Sequence, residues 1–421
     1  MKHFISFIVL MVFWLAFLPE GAHAYPFDGY EYSGIRRLKR LELIMAEKIP
    51  GPRLLPGAAL NLSSIALPSD IKELNLSDTG PLVDLRLQQK IEALFPNRDE
   101  SYSLAILDIS PGRPVRLALR QADRRFAVGS VGKLAIAAGL FNELQRLFPD
   151  TVEKRHELLK NRMVVAGPWI ETDHHDIPVF LPDTGAFASR PAKQGDRFSL
   201  YEWADHMISA SANSAASTLW KELILMRHFG KLYPPSREEE DVFFSTFPKQ
   251  QLSFLAAAVV NEPLLAIGIS REEFHLGSFF TSQGKKKISG EGDSFASPFG
   301  LLKYLVAMEQ GRIIDPWSSL EIKRLMYTTA KRIRYASSPS LSKAAVYFKS
   351  GSLYRCKPEP GFTCKKYMGN QENIMNSVVI VEQSDSRIYM VTLMSNVLKK
   401  NSALDHQTLA TEIEALMKTQ P

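Results

Sequence analysis

Ser130-Val131-Gly132-Lys133 opens an apolar segment that runs to about Leu147 and reads as a helix. A serine and a lysine three apart on a helix share one face, within side-chain reach. Burial would lower the lysine pKa toward neutrality, so Lys133 could take the proton of the Ser130 hydroxyl. A nucleophile at a helix N-terminus also gains from the positive end of the dipole, and the backbone N–H of Ser130 is free to stabilise an oxyanion. The motif alone is weak. The same spacing recurs at Ser340 to Lys343, and an N-capping serine followed by a surface lysine would produce it without any chemistry. A phosphate-binding loop around Gly132-Lys133 is excluded, because Ala127 and Leu134 stand where that loop needs Gly and Ser or Thr.

Two further motifs follow in order. Ser211-Ala212-Asn213 lies between a helix expected over Leu200 to Ser211 and another extending to about His228; Lys349-Ser350-Gly351 ends an expected strand. Each alone is noise, but the three together, on a helix start, a helix junction and a strand, are much less expected by chance. On these residues the chain resembles the penicillin-recognising serine hydrolases, closest to their class A β-lactamase-like branch, over about residues 82 to 418. The resemblance takes in the paired strands before Ser130, Ser297-Pro298 leading into Leu301 to Gly311, and Ser352 followed by two strands and a final helix.

That resemblance implies Ser130 as nucleophile and Lys133 as its proton acceptor. Ser211 would relay a proton to the leaving group, and Asn213 would orient substrate and Lys133. Lys349, Ser350 and Ser352, on one strand with Gly351, would hold the substrate carboxylate or carbonyl, and the backbone amides of Ser130 and Ser352 would form the oxyanion hole. No cofactor or metal is implied. Ala212 replaces the usual Asp, a change that does not touch the proton path. A Glu followed four residues on by Asn is expected ahead of Pro298 and is missing; Glu272, Glu273, Glu291 and Asp293 are the local carboxylates, and they read as solvated loop charge. Without a base for the second half-reaction an acyl-enzyme would form and turn over slowly.

Thr172-Asp173-His174-His175-Asp176 is the one metal-like cluster. Adjacent histidines on an extended loop point to opposite sides and no second histidine pair completes a site, so no metal is assigned there. Tyr347 and Tyr354 bracket the lysine strand and read as core packing.

The elements that must position these residues are a helix over Leu85 to Phe95, strands at Tyr102 to Ile109 and Val115 to Leu119, and helices at Pro298 to Gln310 and Ser318 to Thr329. Strands at Val346 to Phe348, Ser377 to Glu382 and Ile388 to Ser395 and a helix over Ala403 to Met417 complete them. The fold class is α/β of the α+β type: a β-lactamase/transpeptidase-like fold, with an antiparallel sheet built from both chain ends and an inserted all-helical lobe. Gly230 to Ser297 has mixed polarity, and its charge runs, Arg237 to Asp241 and Lys285 to Lys287, read as solvated loops. Residues 25–81, rich in Pro and Leu and helical only over Ile35 to Lys48, read as an extension packed on the 82–421 domain.

Composition sets the compartment and the partners. The 421 residues are 45% hydrophobic and 23% charged with a net charge of +6. That composition supplies a core, and with no basic aromatic stripe it argues against nucleic acid. Lys2 precedes an apolar run from Phe4 to Leu18, and a small-x-small exit ends at Ala24. Residues 1–24 read as a cleaved signal peptide, since the run falls short of the roughly 20 residues needed to span a bilayer. The mature protein is expected in the bacterial periplasm, without stable membrane insertion and, lacking a cysteine after the cleavage point, without a lipid anchor. Cys356 and Cys364, eight apart in a turn-rich loop, read as a disulfide, and a zinc site has too few ligands.

The expected activity is an exported acyl-serine hydrolase acting on β-lactam or related amide and ester carbonyls. The alternative is a peptidoglycan D,D-peptidase with slow deacylation. A non-catalytic envelope-binding module is a third reading, against which the retention of Ser130, Lys133, Ser211 and Lys349 argues. Either substrate is small, and no sequence feature points to a particular oligomeric state.

Overall fold

The structure is a computed structural model and describes residues 27–68 and 70–419. The expected signal peptide lies outside the described residues. In chain order come α1 (Arg36–Met45) and α2 (Leu85–Glu92), strands β1 (Ser103–Asp108) and β2 (Arg116–Arg120), and helices α3 (Lys133–Leu147), α4 (Leu200–Ile208), α5 (Asn213–Phe229), α6 (Lys249–Ala266), α7 (Pro298–Glu309) and α8 (Pro316–Tyr327). Strands β3 (Ala345–Arg355), β4 (Glu372–Glu382) and β5 (Ile388–Asn396) follow, and α9 (Ala403–Lys418) comes last.

The five strands form one antiparallel sheet in the order β3-β4-β5-β1-β2, so both chain ends build it and residues 121–344 are inserted between β2 and β3. Strand alternation divides the core in two. Leu104, Ile106, Val379 and Val391 face α2 and α9. Ala105, Leu107, Val378 and Met390 face the helical lobe. Because both faces are covered, β4 and β5 read as nearly continuous apolar runs, which is why they are visible in the sequence. β3 lies at the sheet edge, leaving the outer side of Lys349 to Ser352 free to face the lobe.

Inside the lobe, α3 is apolar nearly all round and buried accordingly. The largest departure from expectation lies between Gly230 and Ser297. Arg237 to Asp241 belongs to a helix, Arg237–Thr246, whose N-terminus is closed by a reciprocal Ser236–Glu239 capping box. Its acidic first turn suits the positive end of the helix dipole. Lys285 to Lys287 ends a short helix, Ser282–Lys287. Between them runs α6, whose inward stripe of Leu252, Ala256, Val259, Val260 and Leu264 packs toward α3. Outward-facing Phe254 and Leu265 blur that stripe, and Pro263 interrupts it. The loops of 160–195 also hold structure that the sequence did not reveal, including a hairpin of Asp176–Leu181 with Ala186–Pro191.

The N-terminal segment lies across α4 and α8. Arg37 donates two hydrogen bonds to the buried Asp205 carboxylate of α4, both 2.5 Å, and one to Thr328 O just past α8. Arg36 pairs with Glu202 at 2.8 Å. Tyr327 O–H reaches Gly57 O at 2.9 Å.

Cys356 and Cys364 are joined, closing the loop between β3 and β4 as expected. Thiol titration of the unfolded, unreduced protein should therefore find no free thiol; two would refute the bond.

Candidate active site

Ser130 sits on a 3-10 turn, Gly129–Gly132, one turn ahead of α3, and Lys133 is the first residue of α3. The helix expected to start at Ser130 thus begins three residues later. The turn approaches the edge strand backbone to backbone. Gly129 has φ +54°, and a Cβ there would stand 2.9 Å from Ser352 N; a Cβ at Gly351 would stand 2.7 Å from Val128 O and 3.1 Å from Ser130 N. Only glycine permits that approach at both positions, and it brings the amides of Ser130 and Ser352 to one narrow gap. Asn376 on β4 fixes the turn by donating to Ala127 O and Val128 O, each at 3.1 Å.

Lys133 is fully buried. Its Nζ lies 2.9 Å from Ser130 Oγ, 2.8 Å from Ser211 O and 2.7 Å from Asn213 Oδ1. Burial lowers its pKa to about 7, against the opposing pull of the Asp173 carboxylate. A neutral amine has two N–H donors and one lone pair. Ser211 O and Asn213 Oδ1 match the donors, and the lone pair is left for the Ser130 hydroxyl.

Ser211 holds φ +61°, a left-handed backbone that a non-glycine residue adopts at a cost and that recurs at functional sites. Its Oγ accepts a hydrogen bond from Lys349 Nζ at 2.8 Å, and Lys349 also donates to Ser350 O at 2.9 Å. Burial, and then the positive charges of Lys133 and Arg334, push the Lys349 pKa well below its usual value. An arriving anion would reverse that shift, so this cluster of cations is suited to a substrate carboxylate. Ser350 and Ser352 are partly exposed on the same strand.

All five expected catalytic residues, from Ser130 to Lys349, are therefore brought together, with the backbone carbonyl of Ser211 joining Lys133 to the Ser211–Lys349 pair. Three neighbours were not foreseen. Arg334 (φ +53°) donates to Gly351 O at 2.6 Å and lies 5.3 Å from the Tyr367 ring, which in turn meets the exposed Tyr354 edge-on. Phe280, from the loop ahead of α7, places its ring 4.7 Å from Lys133 Nζ. Asp173, considered in sequence only as a metal ligand, accepts the N–H of Ser214 at 2.8 Å. A lone arginine and a lone phenylalanine in irregular segments carry no spacing signal. Tyr347 is buried and bonds Glu382, as core packing required, whereas Tyr354, near the end of the edge strand, is 40% exposed and does not belong to the core.

Of the local carboxylates, Glu272 and Asp293 are exposed, as expected of solvated loop charge, and Glu273 is engaged elsewhere. Glu273 pairs with Lys303 at 2.5 Å and caps Ser270 N at 2.8 Å. The residue of that loop that reaches Lys133 is Phe280, and four residues on stands Gly284, not Asn.

No protein-family model matches the chain, and no curated protein matches it. Solved structures do. A mutant of PBP-A, captured as an acyl-enzyme complex with penicillin G, is 15% identical, with TM-score 0.50 over 79% of this chain and 97% of that one. A variant of the TLA-1 extended-spectrum β-lactamase is 13% identical, with TM-score 0.51 over 79% of this chain and 99% of that one. At such identities the likeness is one of fold.

Proposed function

We propose, from the premise that this chain has the fold of the penicillin-recognising serine hydrolases, that it is an exported acyl-serine enzyme attacking β-lactam or related amide and ester carbonyls. The observation that carries this reading is the buried Lys133 amine within hydrogen-bond distance of Ser130 Oγ, with no carboxylate bonded to it among the described residues. Ser130 Oγ bonds to the carbonyl carbon as its proton passes to Lys133 Nζ. The oxyanion is held between the amides of Ser130 and Ser352. As the C–N bond breaks, a proton reaches the leaving nitrogen through Ser211 Oγ, which Lys349 orients. Asn213 orients Lys133, and Lys349, Arg334 and the Ser350 to Ser352 strand take the substrate carboxylate.

The second half-reaction needs water and a base. Phe280 presents a ring to Lys133 where the loop ahead of α7 could have offered one. This favours slow deacylation, and with it the second reading: a D,D-peptidase of cell-wall stem peptides that is trapped by penicillin. The division into a signal at 1–24, an extension at 25–81 and a catalytic domain at 82–421, and a periplasmic location, belong to the same proposal. Among the described residues no helix is long and apolar enough to cross a membrane.

Mixing with a chromogenic β-lactam should open one equivalent of the ring in a burst, followed by slow turnover. Attack requires neutral Lys133, whose pKa burial lowers to about 7. The burst rate should therefore rise with pH through about 7 and then level, as the amine loses its proton. Absence of a burst, or a rate independent of pH between 5 and 9 (a span of about two units either side), would overturn the assignment.

A further inference from the structure

The Ser211-Ala212-Asn213 turn places a buried alanine between its two functional side chains, so it brings no carboxylate of its own. One reaches it from 40 or so positions upstream in the chain, with both oxygens committed. Asp173 Oδ2 accepts the N–H of Ser214, in the first turn of α5 and next to Asn213, at 2.8 Å. Asp173 Oδ1 accepts the backbone N–H of His175 at 3.1 Å and lies 2.7 Å from His175 Nδ1. The Asp173 side chain is 3% exposed, that of His175 40%. Burial alone would raise the Asp173 pKa, but the bonds from His175 and Ser214 outweigh it and hold it well below the usual carboxylate range. It is thus a fixed negative charge, and it is the charge that acts on Lys133.

We propose that Asp173 is a positioning residue of this site: from the loop ahead of the Asp176–Leu181 strand it supplies the carboxylate that the Ser211-Ala212-Asn213 turn lacks, pinning the Asn213 end of that turn and balancing the charge of Lys133. The proposal rests on the reading of Lys133 as proton acceptor. His175 serves by holding Asp173, and the Thr172 to Asp176 cluster is a support for the site in place of a metal centre.

The charge environment makes this specific. Lys133 is faced by the Ser130 hydroxyl from the 3-10 turn, Asn213 from α5, the Phe280 ring from the loop before α7, and Lys349 of β3 with Arg334 behind it. Asp173 is the carboxylate whose charge acts on Lys133, against the effect of burial. Pinning and charge are separable by substitution. Asp173→Asn keeps an oxygen that can accept from Ser214 N–H and removes the charge; Asp173→Ala removes both.

The test is a pH titration of Lys133 by 13C NMR of lysine-labelled protein, with Lys133→Arg identifying the resonance and thermal melting confirming a folded state. A nearby negative charge favours the protonated amine, so Asp173→Asn should lower the Lys133 midpoint by about half a pH unit or more. Hydrogen exchange of the Ser214 amide should stay slow in Asp173→Asn and quicken in Asp173→Ala. If Asp173→Asn does not fold, Asp173→Ser, which retains a small acceptor, is read the same way. An unchanged Lys133 midpoint in the neutral variants would overturn the proposal. The titration needs no substrate, so its failure would leave penicillin acylation standing, and failure of acylation would not mimic it.

Discussion

Lys133→Met is expected to slow formation of a penicillin adduct by about 10²–10⁴-fold, the usual share of a positioned general base, and to abolish the rise in rate through pH 7. Met fills nearly the volume of the lysine stem but has no amine, so the proton of Ser130 has nowhere to go. The substitution leaves Ser211 O and Asn213 Oδ1 without the donor they now share. Each lost bond costs about 1–3 kcal/mol of desolvation, offset in part because a buried amine no longer has to be kept from water. The variant should therefore fold, and the loss should be seen in rate. Rapid-quench mass spectrometry of adduct formation decides it: a rate within threefold of the unmodified protein would remove Lys133 from the proton path.

Arg37→Met should destabilise the protein by about 3–5 kcal/mol, the cost of stranding a buried charge. Among the described residues, Asp205 would lose both guanidinium bonds and keep only the Thr328 hydroxyl, at 3.0 Å. Its own backbone carbonyl accepts the N–H of Ser209, and Ser209 O in turn accepts from Ala330, so the end of α4 and the segment after α8 share one anchor. The same pair replaced on both sides, Arg37→Met with Asp205→Leu, should recover most of the loss, because two apolar side chains need no partner. Urea denaturation of the two single variants and the double variant measures this directly. Additive losses would show that the two side chains do not act as a pair.

The sheet and the helices that close it were legible because their burial is periodic or complete. Val378 to Val381 and Tyr389 to Met394 have no exposed face, and Leu87 and Ile91 mark one side of α2. The motifs were legible because short polar groups stood at the ends of such apolar runs. What the sequence concealed has physical causes. In α6, Phe254 and Leu265 are 67% and 57% exposed, so apolar residues lie on both faces and no period stands out. Asp173 was noticed for its neighbours His174 and His175, whereas the partner that ties it to the site is a backbone N–H on a distant helix, which no residue type announces. Arg334 and Phe280 act through position alone. Their roles depend on a left-handed backbone at Arg334 and on the path of the loop ahead of α7, and neither has a local sequence signature.

The central claim is a covalent one, at one serine, with a slow exit. Intact-mass measurement after incubation with penicillin G tests it most directly. The expected result is a single adduct of the antibiotic's mass that persists for hours on the unmodified protein and is absent from Ser130→Ala. No adduct on the unmodified protein, or the same adduct on Ser130→Ala, would contradict it.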